Sequence, residues 1–175
     1  ATYSQILSSS TLTAVPGANF DLVSTYQNES ASQSSPLVMW SVLVPTNVIW
    51  DSAGTEASAC QSEATLDGTV VRCGLPAPGY GSTATARMRF TVASAAAVST
   101  DLTFRSTVVA ANSLNDVIAI AQAPASCVAG DTPSLGCDVH TLFSTSSANA
   151  NVALAVTPQS SDIAVAAGTP LTTTF

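Results

Sequence analysis

The sequence predicts an all-β protein whose antiparallel strands pack as a sandwich. Apolar residues alternate with polar ones at period two. Turn residues recur at strand spacing. No stretch sustains a helical period between capping residues. Short strands separated by regular turns are the pattern of a sandwich.

The first clear strand has Phe20, Leu22, Ser24 and Tyr26 alternating with Asp21, Val23, Thr25 and Gln27. Leu37 to Val44 (LVMWSVLV) is nearly all apolar and predicts a central strand buried on both faces, anchored by Trp40. Pro45 ends it, because proline cannot donate to a ladder. Ala86, Met88, Phe90 and Val92 alternate with Arg87, Arg89 and Thr91, a half-buried strand with its arginines on the wet face. Leu102, Phe104, Ser106 and Val108 repeat the pattern. Turn signals fall at Pro16-Gly17, Asn28-Glu29, Asp51 to Gly54, Asp67-Gly68, Pro76 to Gly81 and Asn112 to Asn115. Asp67-Gly68, between Cys60 and Cys73, predicts a hairpin. Ala93 to Val98 (ASAAAV) is the one helix-like piece.

Composition narrows the function. Charged residues are 9% of the 175, against a usual quarter, while hydrophobic residues reach 46%. There is no lysine. Arg72, Arg87, Arg89 and Arg105 face 11 acids, for a net charge of −7. That balance argues against nucleic acid, whose phosphates need basic side chains, and against anionic membrane surfaces. No apolar run is long enough for a transmembrane helix. Polarity comes instead from 25 Ser and 22 Thr, a hydroxyl coat suited to exported proteins. The opening Ala1-Thr2-Tyr3 fits a mature form after removal of an export signal. One N-x-S/T sequon, Asn28-Glu29-Ser30, marks Asn28 as a possible glycosylation site.

The four cysteines lack zinc spacing. Cys60 and Cys73 are 13 apart, Cys127 and Cys137 are 10 apart, and there is one histidine. Sequential pairing, 60–73 and 127–137, is the simplest of the three connectivities that four cysteines allow, and free thiols are the competing reading. Disulfides imply an oxidising compartment, hence an extracellular or cell-surface location.

Leu12 to about Ala123 resembles the conserved surface repeat known as domain of unknown function 11, found in secreted and cell-surface proteins of bacteria and archaea. Its "V-x-P-G" turn and following strand match Val15-Pro16-Gly17, Phe20 to Tyr26, and Asn28. Its strand ending "L-P" matches Ser41 to Pro45, and its cysteine hairpin matches Cys60 and Gly68 to Cys73. Gly81 to Val92 and Leu102 to Ile120, with an Asn115-Asp116 turn, fit the remaining strands. A departure is the missing "N-N-G" after the second strand, where Asn28-Glu29-Ser30 leads into a Ser-rich loop. The resemblance implies an immunoglobulin-like sandwich, an architectural role and no catalytic residues. It also extends to the tail: Ile163 to Gly168, then Leu171, echoes Leu12 to Gly17, then Phe20. The tail therefore looks like an additional C-terminal strand pair, the opening of a second repeat.

The expected organisation is an N-terminal strand or donor segment (1–12), the immunoglobulin-like sandwich (13–123), a disulfide-containing loop segment (124–150) and the C-terminal strand pair (151–175). Two strands alone are marginal in water. The pair folds back on its own domain, belongs to a longer repeat protein of which this chain is a fragment, or completes a neighbouring subunit by strand addition. Strand addition repeated head to tail does not close, and gives a fibre. The expected donor anchors are Val152, Leu154, Val156, Ile163, Val165 and Leu171, or alternatively Tyr3, Ile6 and Leu7.

Chemistry-bearing patterns are sparse. His140 stands alone, and no G-x-S-x-G elbow is present. Asp131 and Asp138 flank Cys137 without calcium-loop spacing. Trp40 reads as core, and Trp50, beside Asp51, is the better candidate for a sugar-stacking aromatic. No phosphate loop or dinucleotide motif appears. The expectation is a non-enzymatic, cofactor-free structural subunit of an extracellular filament, a head-to-tail homopolymer with glycans or cell surfaces as possible further partners. The alternative is a monomeric adhesin or stalk module, with a carbohydrate-binding module behind it.

Overall fold

Residues 2–31, 35–56, 59–113, 124–127 and 136–146 are described by a computed structural model of the chain. They form ten strands: β1 (Tyr3–Ser9), β2 (Thr13–Ala14), β3 (Asn19–Asn28), β4 (Leu37–Val44), β5 (Val48–Asp51), β6 (Cys60–Thr65), β7 (Gly68–Pro76), β8 (Thr83–Val92), β9 (Asp101–Ala111) and β10 (Cys137–Ser144). One sheet has the order β1-β3-β8-β5 and the other β2-β10-β9-β4-β7-β6. The pairings are antiparallel except that of β2 with β10. The first strand is thus split: β1 joins one sheet and β2, after a short break, joins the other. The architecture is an immunoglobulin-like sandwich.

Alternation places the core as expected. Phe20, Leu22, Ser24 and Tyr26 of β3 are buried, as are Met88, Phe90 and Val92 of β8 and Leu102, Phe104, Ser106 and Val108 of β9. Phe20, Phe90 and Phe104 form an aromatic cluster across the two sheets, with ring centroids 5.3–5.9 Å apart. In β4, Val38 through Val42 are all buried, because this strand has a sheet neighbour on each side and a second apolar cluster, Met39 and Ala111, on its outer face. The Pro124–Ser126 turn lies against that outer face, in contact with β4 and β9. The β6–β7 hairpin forms, but its two loop residues are Leu66 and Asp67, and Gly68 closes it with φ of 129°.

Three expectations change. The sandwich is not confined to residues 13–123, because β1 and β2 on one side and β10 on the other supply strands to it. Residues 124–150 are not simply a loop segment, since Cys137–Ser144 is a full strand bonded along β9. Ala93 to Val98 forms turns and bends rather than helix, three alanines being too short a run to pay for helix nucleation. The Asn115-Asp116 turn and the C-terminal strand pair fall outside the described residues.

A polar network spans the gap between the sheets. Gln5, 1% exposed, accepts at Oε1 from the hydroxyls of Ser24 (2.9 Å) and Ser106 (3.0 Å), and donates from Nε2 to the Gly136 carbonyl (3.0 Å). Ser106 Oγ in turn accepts from Trp40 Nε1 at 2.8 Å. Gly136 has φ of 69°, and a Cβ there would sit 2.3 Å from the Val108 carbonyl oxygen, so the position demands glycine. Replacing Gln5 with methionine keeps its volume but strands two buried hydroxyls. Gln5→Met is expected to cost about 3 kcal/mol in a denaturant titration; a cost within experimental error would show that the network contributes nothing to stability.

Candidate assembly surfaces

The sequence-predicted residues divide between core, seam and tail. Tyr3 (2% exposed) and Leu7 (6%) point into the core from β1, whereas Ile6 (59%) points outward. The three therefore do not share a face. β1 is held within its own chain by β3 along its whole length. Its other side is sealed by β10: the Leu7 amide donates to Asp138 Oδ2 (2.7 Å), and Ser9 Oγ lies 2.9 Å from His140 Nε2. Val152, Leu154, Val156, Ile163, Val165 and Leu171 fall outside the described residues.

Both disulfides form sequentially, Cys60–Cys73 and Cys127–Cys137. The first links directly opposed residues of β6 and β7 and buries Cys73 among the residues of the main core. The second fastens the Pro124–Ser126 turn to the start of β10, with Arg105 donating to the Cys127 carbonyl. The two cross-links thus sit on different strands of the same sheet.

Asn28 is not displayed for glycosylation. Its side chain is 2% exposed, its Nδ2 donates to the Pro78 carbonyl (3.1 Å) and its Oδ1 accepts from the Ser30 amide (3.0 Å). The sequon supplies a structural amide at the end of β3. Trp50 is not a sugar platform either. It is half-buried, packs against the core opposite Phe90, and donates from Nε1 to Thr55 Oγ1 (3.0 Å).

Ser9, His140 and Asp138 are neighbours but do not form a catalytic relay. The Ser9 hydroxyl gives its proton to the Thr11 carbonyl (2.5 Å), so the imidazole must donate to Ser9 rather than accept from it. Asp138 takes the Leu7 amide on one oxygen and the Val139 amide on the other. This trio is a seam between β1 and β10. Asp131 lies outside the described residues, and among the described residues no group of three His, Cys, Asp or Glu could hold a metal ion. Likewise, among the described residues no helix is long and apolar enough to cross a membrane.

The outer face of the β1-β3-β8-β5 sheet carries a row of ion pairs. Asp21 bonds Arg89 Nε at 2.9 Å and lies 3.9 Å from Arg87, which also pairs with Glu56. At the outer edges, β5 pairs only with Arg89–Val92 of β8 and β6 only with Gly68–Cys73 of β7. This corner, where both edge strands stop short, was not anticipated from sequence. The signal was present in β8, whose inward residues shrink from Phe90 and Met88 to Ala86 and Ala84.

No family model matches the chain, and no curated protein does. Solved structures do. A cohesin module from a Clostridium perfringens family 33 glycoside hydrolase has TM-score 0.53 at 9% identity, over 83% of this chain and 98% of the module. The major pilin SpaA of Corynebacterium diphtheriae, described as a modular pilus assembly with stabilising isopeptide bonds, has TM-score 0.50 at 11% identity, over 81% of this chain. The chain spans 37% of that pilin's length. At these identities the likeness bears on the fold alone, an immunoglobulin-like sandwich.

The seam is pH-sensitive in a stated direction. Burial lowers the His140 pKa below its ordinary value, opposed in part by Asp138. The unfolded chain therefore takes up this proton more readily than the folded one. The stability contribution is complete above the unfolded pKa of about 6.5 and is lost as pH falls below it. Unfolding midpoints measured at pH 7.5 and 5.5 should drop on acidification, and His140→Asn should flatten that drop. An unchanged slope in the variant would assign the effect to other groups.

Proposed function

We propose that the chain is a structural subunit of an extracellular filament or other polymeric surface structure, assembled by β-strand complementation between subunits. The observation that carries this reading is the relation of tail to sandwich. The described residues already supply first and last strands, β1, β2 and β10, to a filled core. The sequence then continues with a charge-free alternating run, Val152-Ala153-Leu154-Ala155-Val156, and a second apolar run from Ile163 to Ala167. Such segments bury their side chains most readily as an added strand. Head-to-tail repetition of that contact extends without closing.

Two disulfides and a hydroxyl-rich surface support an oxidising, exterior location. The pilin and cohesin neighbours are consistent with a role in protein association rather than catalysis. Kinship with the surface repeat resembled by Leu12 to Ala123 belongs to the same proposal. The runner-up is a stalk or adhesin module of a larger surface protein, favoured by the chain's matching 37% of the pilin, a module's share.

Negative-stain electron microscopy of the chain beside a version lacking residues 151–175 separates these. Fibres that disappear on truncation are expected. Fibres that persist move the donor role to residues 1–12, and monodisperse particles in both samples leave the module reading.

A further inference from the structure

Among the described residues, both sheets lack an edge strand at one corner of the sandwich. On β8, pairing with β5 ends at Arg89, and the Glu56 amide then donates to the Arg87 carbonyl. On β7, pairing with β6 ends at Cys73, and the Gly74 amide donates to the Ala59 carbonyl. Beyond these points, among the described residues, no strand lies on the open side of Thr83–Ala86 or of Leu75–Pro76. The Arg87 carbonyl and the Arg89 amide both point away from β3. By the two-residue period of a strand, the amides and carbonyls of Thr85 and Thr83 point the same way. The inward side chains of β8 here are small, Ala84 and Ala86, and the buried neighbours beside them are Tyr26 of β3 and Leu75 of β7. A cleft opens at this edge, lined by Tyr26, Glu56, Gly74, Leu75, Pro76, Thr85 and Ala86. A cleft beside a row of outward-directed backbone groups is a setting in which a strand adds to a sheet edge.

The geometry points to Val152–Val156 of a second copy as the strand that fills this slot, an inference that rests on the strand-donation reading. The five-residue V-A-L-A-V segment matches the four open positions 83–86 in length. It carries no charge, and its large residues Val152, Leu154 and Val156 share one face, which suits packing over Ala84 and Ala86 of β8. Chain reach argues against the same molecule. β10 ends at the level of Asp101 on β9, through Phe143↔Asp101, while Pro76 is level with Ala111 through their shared partner Leu37. Ten residues along the strands and three strand spacings across put Ser144 and the slot roughly 35 Å apart. The eight residues from Ser144 to Val152 (152 − 144) reach at most about 28 Å. β10 ends at one end of the sandwich and the slot opens at the other, so on this reading donor and acceptor stand at opposite poles.

Full-length chains carrying Thr85→Cys with either Ala153→Cys or Ala155→Cys test this, since those positions share the outward face. The expected result under oxidation is a ladder of covalent multimers on non-reducing gels, absent from each single variant. The slot-filling variant Ala86→Leu, verified as folded by circular dichroism, should lose fibres. Fibres in the parent protein and in Ala86→Leu, without a cysteine ladder, would overturn this slot while leaving strand donation intact elsewhere. A cross-link confined to single chains, with no fibres in the parent, would overturn both the slot's occupant and the filament reading.

Discussion

The side chain of Gln5 occupies the space between the two sheets, where an aliphatic residue is the usual solution, and much of the architecture is arranged to satisfy it. Its carbonyl needs donors from both sheets, which Ser24 and Ser106 provide, and its amide needs the Gly136 carbonyl. Each partner carries a further obligation. Ser106 receives the Trp40 indole, and Gly136 must be glycine because its backbone passes against Val108. A slip of β1 by one residue would put Ile6 in place of Gln5 and strand every member of this network in the core. The register of the first strand is therefore fixed by polar chemistry as well as by Tyr3 and Leu7 on either side of it. That explains why β1 belongs to its own sandwich.

Much of the fold was legible because it rests on alternation. β3, β8 and β9 appear where Phe20, Phe90 and Phe104 stand in period two, β4 appears where an unbroken apolar run surrounds Trp40, and Pro45 ends β4 as a missing donor must. β10 was not legible. Its CDVHTLFS alternates weakly, and its inward row mixes Asp138 and His140 with Leu142, because those polar groups serve the edge of β1. Asn28 misled for a related reason: a sequon records three residues in a row, whereas burial of the amide depends on Pro78, fifty positions away. The open corner beside β8 depends on where β5 and β6 end, and strand ends are set by the chain's path between sheets rather than by local composition.

Covalent reinforcement is concentrated in one sheet. Cys60–Cys73 ties its edge hairpin, and Cys127–Cys137 straps a turn across its outer face beside β9. An isopeptide cross-link built on a lysine amine is not open to this sequence, which has none. Closing loops of these sizes removes roughly 3 kcal/mol of unfolded-state freedom apiece. Most of the ion pairs lie on the opposite sheet, where Asp21, Arg87 and Arg89 line up across adjacent strands, while Arg72 pairs with Glu63 on the disulfide-bonded sheet. The Arg87–Glu56 pair, with both side chains about half exposed, contributes little by itself.

The placement of the arginines has a consequence for durability. Trypsin cuts after lysine or arginine and must draw the scissile segment out as a free extended chain. Here every such bond follows Arg72 in β7, Arg87 or Arg89 in β8, or Arg105 in β9, all within hydrogen-bonded ladders. None sits in a loop that opens locally. Digestion by a basic-specific protease is thereby coupled to cooperative opening of the sandwich rather than to loop motion.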